Sequence, residues 1–324
     1  MRNGMSWFLS LATLAALLVW TSAASAFWPI LQDVFAAIST SGGFIQVGYE
    51  VLDPFTQKFI QYTESATNPV QLTIQNGIVA WLDGSQVNCR VFDPKRYTWM
   101  PTADSTFGTV VRLRNQGGVV AWLRSAPHSV GSTTYDPAQG AWITQDTTYP
   151  LAFINDVITQ DGVVAWVEQN ITSNYVRVRI YNPQAGQWDE GSAGPFVDMP
   201  IISVQNATVS WGTSTLGYDP SNRQWSQGNV TRVLAWFVAQ PTSGSVGLRV
   251  CFTDMSIAGT GWNYDFGDNT TSTQRSDWHF YRRPGVFTAA ESVTGAGSLR
   301  SSNAARTITI HSTPAPYIQL LLGD

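Results

Sequence analysis

The chain is predicted to be all-β in two unlike parts, and three observations carry that expectation. One phrase recurs at a near-constant interval: Gly77-Ile-Val-Ala-Trp81, Gly118-Val-Val-Ala-Trp122, Gly162-Val-Val-Ala-Trp166 and the weaker Ala207-Thr-Val-Ser-Trp211, with tryptophans 41, 44 and 45 residues apart. Short runs of Val, Ile, Thr and aromatic residues are bounded by Gly, Pro, Asn and Asp, which punctuate strands and turns. From Ala239 the repeat stops and a different alternating pattern begins.

The first 26 residues stand apart. Arg2 supplies a positive start, Trp7 to Trp20 is apolar except for Ser10 and Thr13, and Ser22-Ala-Ala-Ser-Ala26 ends in small residues. A membrane span needs about 20 apolar residues. This run is shorter and ends in an A-x-A-like site, Ala24-Ser25-Ala26, so a cleaved signal peptide over 1–26 is expected, with a mature start near Phe27. The expected location is therefore extracellular or at the cell surface, with no membrane span left after signal removal.

The repeat occupies 27–236. A second phrase follows each first one: Phe92-Asp-Pro94, Tyr135-Asp-Pro137, Tyr181-Asn-Pro183 and Tyr218-Asp-Pro220, with Leu52-Asp-Pro54 as an earlier copy. Trp99, Trp142, Trp188 and Trp225 each lie five residues after the proline, and Phe59 holds that place in the earlier copy. Fixed spacing implies fixed geometry: Asp or Asn then Pro suits the first two positions of a type I turn, so a strand ends at the aromatic and another begins before the tryptophan. The gap between the phrases varies from 8 residues, Trp211 to Asp219, to 16, Trp166 to Asn182, as a surface loop tolerates. Each unit then reads as four strands: a run such as Val70-Gln-Leu-Thr-Ile74, the Val-Ala-Trp strand, the strand ending at Asp-Pro, and the strand carrying the last tryptophan. Val163-Val-Ala165 lacks alternation, as expected for a strand covered on both faces.

Four strands per 40 to 45 residues is the period of a propeller blade, and five copies predict a roughly five-bladed β-propeller. The pattern resembles TolB-like and kelch-like propellers over about residues 34–236, in which a Val-Val-Trp-like strand is followed by one ending Tyr-Asp-Pro, a turn and an aromatic. It departs from kelch in lacking a Gly-Gly doublet after the strand.

Beyond the repeat, Leu248, Val250 and Phe252 alternate to one side, as do Trp262, Tyr264 and Phe266, which predicts the two inner faces of a β-sandwich. Trp262-Asn-Tyr-Asp-Phe-Gly-Asp268, His279-Phe-Tyr281 and Pro284-Gly-Val-Phe-Thr288 together resemble a PKD domain. That resemblance implies an immunoglobulin-like sandwich over 237–311, serving as a spacer or contact module. Asn269 replaces the usual turn glycine and tolerates left-handed φ. Glu291 stands where an apolar inward residue is expected, so looser final strands are anticipated. Residues 312–324 read as a Pro-broken tail, and the Pro241-Thr-Ser-Gly244 stretch as an exposed link between the parts.

Two cysteines occur, Cys89 and Cys251. Export permits a bridge between them that would staple the two parts, while two separate thiols is the simpler reading. The alternation around Cys251 predicts that its side chain points outward.

Charged residues are 12% of the chain, about half the usual share, with two lysines, Lys58 and Lys95, and a net charge of -4. No basic face exists to neutralise phosphates, which argues against a nucleic-acid partner. The histidines, His128, His279 and His311, lie in three different contexts, and no metal, nucleophile or phosphate-loop motif appears, so no catalytic residue, metal site or cofactor is predicted. Asp93, Asp136 and Asp219 read as turn residues and His279 as a packed or turn-bonded one. Sequons at Asn170, Asn206, Asn229 and Asn269 are candidate glycosylation sites, with Asn170 in the longest variable loop. No residue is singled out for ligand contact. The expected function is non-enzymatic extracellular binding, adhesion or an envelope role, toward a glycan or envelope protein. The alternative is a secreted carbohydrate-active enzyme, hydrolase or lyase, with an accessory PKD domain.

Overall fold

A computed structural model describes residues 34–41, 43–53, 58–104, 108–230, 232–297 and 302–312. The signal peptide, the start near Phe27, Pro54 of the first Asp-Pro copy, and all but Ser312 of the tail lie outside the described residues. Those described are all-β, without helix.

Five antiparallel meanders come first. β1 (Val34–Ser41), β2 (Phe44–Asp53) and β3 (Lys58–Ala66) form a three-stranded sheet. Four-stranded sheets follow in chain order. The second holds β4 (Pro69–Gln75), β5 (Ile78–Asp83), β6 (Gln86–Asp93) and β7 (Thr98–Asp104). The third holds β8 (Val110–Gln116), β9 (Val119–Ser125), β10 (His128–Asp136) and β11 (Ala141–Thr148). The fourth holds β12 (Val157–Gln160), β13 (Val163–Gln169), β14 (Asn174–Asn182) and β15 (Gln187–Phe196). The fifth holds β16 (Ser203–Gln205), β17 (Thr208–Trp211), β18 (Ser214–Asp219) and β19 (Gln224–Gln227).

The leading strands lie side by side, β1 next to β4, β4 to β8, β8 to β12 and β12 to β16. The sheets remain separate in hydrogen bonding, and none closes on itself. Each Val-Ala-Trp strand sits second in its sheet, covered on both faces: Val163, Val164 and Ala165 are fully buried and Trp81, Trp122 and Trp166 nearly so. That double cover removes the alternation, since neither face meets water.

The Asp-Pro phrase proves to be an intersheet staple as well as a turn. Asp136 Oδ1 accepts the backbone N–H groups of Ala138 and Gln139 and so caps the turn. Its other oxygen accepts the hydroxyl of Tyr181 from the next sheet at 2.5 Å. Asp93 does the same for Tyr135 at 2.6 Å. In the fifth sheet the rule shifts: Tyr218 donates to Asp189 at 2.5 Å, while Asn182 donates its amide to Tyr218 at 2.8 Å. An amide accepts a phenol less strongly than a carboxylate does, and Asp189 of the same sheet takes that place. Three of the tryptophans five residues past the proline donate the indole N–H to a backbone carbonyl of the preceding sheet, Trp142 to Met100, Trp188 to Ile143 and Trp225 to Asp189, whereas the Trp99 N–H is buried without a partner.

The last eight strands are β20 (Phe237–Gln240), β21 (Ser243–Ser245), β22 (Leu248–Asp254), β23 (Gly261–Asp265), β24 (Thr271–Ser272), β25 (Asp277–Tyr281), β26 (Gly285–Thr294) and β27 (Ser302–His311). They form two sheets, β20-β22-β25 and β21-β27-β26-β23-β24. Val250 and Phe252 from one and Tyr264, Phe266 and Ile308 from the other fill one shared core. Trp262 departs from its expected inner face and packs beside Val233, Ala235 and Val293. Gly267 and Asn269 adopt φ of +80° and +72° in the expected tight turn. Glu291 is fully buried, yet β26 and β27 pair without a break from Gly285↔Ile310 to Val293↔Ser302, so the anticipated looseness is absent.

The outer face of β20 and β22 corrects the reading of Cys251. Its side chain is 2% exposed, because this face is covered by the sheet series instead of water. Val238 joins the core of the second to fourth sheets, and Gln240 Nε2 donates to Pro137 O at 2.6 Å. Cys89 and Cys251 are both buried free thiols, with no bridge between them. Burial pushes each thiol up to about 12. In the expected link Pro241-Thr-Ser-Gly244, Thr242 and Ser243 are exposed and Pro241 and Gly244 half-buried, while Phe237 to Ala239 before it are buried in β20.

Candidate recognition face

In a meander, successive connections alternate between the two ends of a sheet. In the fourth sheet the Asn-Pro turn at 183–186 lies at one end with the β12–β13 turn. At the other end lie the β13–β14 connection at 170–173 and the segments entering β12 (149–156) and leaving β15 (197–202). The turn end is consumed by the staples described above. The opposite end is not.

There the chain exposes apolar side chains at the tips. Leu151 is 90% exposed, Ile171 101%, Val197 93% and Ile201 90%, with Phe153 at 51% and Met199 at 46%. Half of the large apolar residues exposed among those described belong to this one end. Single exposed apolar residues are ordinary on protein surfaces; six of them on three connections at one end of a sheet make that end the candidate contact surface.

Hydrogen bonds hold the loops in place. Phe153 and Gln169 exchange backbone bonds of 2.8 and 2.9 Å, which straps the 149–156 segment to the end of β13. Gln169 Nε2 donates to Met199 Sδ at 2.8 Å, tying the 197–202 segment to the same residue. Asn174 Nδ2 donates to Val197 O at 3.1 Å, and Phe196 rests edge-on against Trp211. The His128 ring packs edge-on against Phe153, 5.1 Å between centroids.

Most charge at this end is paired internally, the exposed Asp198 between Val197 and Met199 excepted. Glu168 accepts from Arg177 Nε at 2.6 Å and from Asn170 Nδ2 at 3.1 Å, and Asp156 pairs with Arg114 at 2.8 Å. The face is thus held in place, apolar at its tips and sparsely charged around them, with Asp198 as its exposed acid outside an ion pair.

Of the sequence-derived candidates, only Asn170 lies here, exposed and adjacent to Ile171. Asn229 and Asn269 are exposed elsewhere, and Asn206 is half-buried with its backbone N–H bonded to Asp161. Cys89 and Cys251 are interior. His279 is turn-bonded as expected, with Nε2 2.7 Å from Asp268 Oδ2 and its ring stacked on Phe266. Among the described residues no cluster of three or more His, Cys, Asp or Glu side chains is arranged to hold a metal. The six apolar tip residues were not singled out by sequence reasoning. Their signal was faint: apolar residues beside prolines, as in Pro150-Leu151 and Met199-Pro200-Ile201, outside either repeated phrase.

No family model matches the chain, and neither does any curated protein. Solved structures overlap it weakly. A carbohydrate-binding module of the β-sandwich superfamily is 26% identical over 25% of this chain and 35% of its own, with a TM-score of 0.24. The assigned extracellular domain of a hybrid two-component system from B. thetaiotaomicron is 9% identical over 86% of this chain and 50% of its own, at 0.28. A protein from Lactobacillus plantarum is 11% identical over 86% of this chain and 96% of its own, at 0.31. The chain therefore spans about a third and half of the first two. Overlaps at these TM-scores carry no functional inference. Among the described residues no helix is long and apolar enough to cross a membrane.

Proposed function

We propose that this chain is a non-enzymatic extracellular binding protein, of the adhesion or envelope kind. Residues 27–236 act as a propeller-like array of five blades, and residues 237–311 as a PKD-type sandwich that docks against it. The array presents the loops at 149–156, 170–173 and 197–202 to a neutral glycan or envelope protein. The observation that carries this reading is the strapped cluster of exposed apolar side chains, because ordered loops on a rigid scaffold hold such groups in water only at a cost that binding recovers.

The test uses the exported chain on glycan and envelope-protein arrays, beside a triple variant, Leu151→Ser, Ile171→Ser and Val197→Ser. Three tips of about 1 kcal/mol each predict affinity weakened by roughly a hundredfold, with stability changed by less than about 0.5 kcal/mol per site, since none of the three packs inside. Binding should depend only weakly on salt, because the tips are apolar and, with Asp156 paired to Arg114, Asp198 is the one exposed acid left among the three loops. Unchanged affinity in the triple variant, or turnover of a polysaccharide by the chain, overturns the proposal.

A further inference from the structure

The end of β22 runs on as Asp254-Met-Ser-Ile-Ala258, and its side chains part by alternation. Met255, 2% exposed, enters the core shared by the second, third and fourth sheets. Ile257, fully buried, enters the core shared by the fourth and fifth. Two backbone bonds between Leu234 and Ile257, and one from Met255 N to Trp236 O, stitch the segment to the chain leaving the repeat. These five residues are therefore the plug that seats the C-terminal sheet pair in the sheet series.

Asp254 and Ser256 turn the opposite way, toward Glu291 on β26. Both carboxyl groups belong to fully buried residues. Ser256 Oγ donates to Glu291 Oε2 at 3.3 Å, and Ser256 N donates to Asp254 Oδ1 at 2.9 Å. The Ser256 hydroxyl oxygen accepts from Trp236 N at 3.1 Å. Arg275 Nε donates to Asp254 Oδ2 at 2.8 Å, which neutralises one acid. Glu291 has no such ion pair, and its Oε1 is buried without a hydrogen-bond partner. The other groups facing it are the Tyr264 phenol on β23 and, from β27, the Arg306 guanidinium, which lies over the Trp236 and Phe237 rings.

We propose that Asp254, Ser256 and Glu291 form a proton-held latch: with its proton Glu291 keeps the plug seated, and losing it frees residues 255–258 and uncouples the sheet pair from the repeat. With Arg275 committed to Asp254, an ionised Glu291 would be a buried charge without an ion pair, which is strongly disfavoured. Burial first, and the Asp254 charge second, push the Glu291 carboxyl up to about 9. A raised acid is neutral when folded and ionised when unfolded, so stability is full below about pH 4.5 and falls progressively toward pH 9. The Ser256 hydroxyl, which donates to Glu291, favours the ionised carboxyl and works against release, so the opening is driven by the burial of the new charge beside Asp254.

The experiment follows hydrogen exchange of the full exported chain from about pH 6 to about pH 10, corrected for the intrinsic pH dependence of exchange. In the native chain, protection of 255–258 is expected to fall progressively, roughly tenfold or more in all, as the pH rises toward about 9 and to level off beyond, while β26 and β27 stay protected. Glu291→Gln keeps the shape and removes the titration, and should hold protection flat. Loss of protection in β26 and β27 together with 255–258 would show unfolding of the sheet pair and overturn the latch. So would a Glu291→Gln profile that follows the native one. The native-chain comparison of the two segments decides the matter even if the variant fails to fold.

Discussion

Tyr181 shows how much one hydroxyl carries in this protein. Its O–H donates to Asp136, whose other oxygen caps a turn in the neighbouring sheet, so one carboxylate serves local and long-range order together. Burial, then the bond to Asp136, holds the phenol protonated far above its ordinary range. Tyr181→Phe keeps the ring, removes the donor and leaves Asp136 with Gln139 as its remaining side-chain partner. An expected loss of about 1–2 kcal/mol should appear in urea unfolding as a lower midpoint with unchanged slope. Arg179 works similarly: fully buried, it donates to Val130 O, Gln145 O and Thr147 Oγ1 of the preceding sheet, pairs with Glu190 and lies over the Trp166 ring. Burial lowers its pKa, and Glu190 opposes that effect.

Strands second and third in each sheet approach closely, and small residues decide where. Gly131 on β10 stands opposite Trp122 on β9, and a Cβ there would lie 2.0 Å from the indole Cε2. The indole is nearly fully buried, with no free volume to move into. Gly131→Ala should therefore destabilise by about 1–3 kcal/mol, read as a fall in melting temperature. The Val-Ala-Trp phrase was legible because doubly covered strands need this composition. The intersheet reach of Tyr181 and Arg179 was not, since a hydroxyl and a guanidinium look alike in a sequence whether they meet water or a neighbouring sheet.

Across the whole molecule, the sheet pair and the repeat meet through Val238, Gln240, Met255 and Ile257 rather than through a free link. Proteases acting at neutral pH should cut within 242–247, where Thr242, Ser243, Ser245 and Gly247 are exposed, and spare the buried β20. The two fragments are then expected to co-elute on size exclusion under reducing conditions, because β20 remains paired with β22 across the cut. Fragments that separate at once would contradict the docked arrangement.

What the sequence by itself determined was periodic: the strands, the Asp-Pro turns, the start of a second pattern after Ala239, and the left-handed turn at Asn269. Each depends on neighbours within a few residues, so local spacing suffices to reveal it. What only the tertiary structure decided was which faces meet. Cys251 alternates outward along its strand and is buried all the same, because another sheet covers that side. Leu151, Ile171 and Val197 lie 20 or more residues apart and become one surface only when three connections emerge at the same end of a sheet. Glu291 and Asp254 are 37 positions apart, and their shared, water-free site exists only once β22 and β26 pack into one core. Burial and proximity are properties of the packed chain, and no local spacing encodes them.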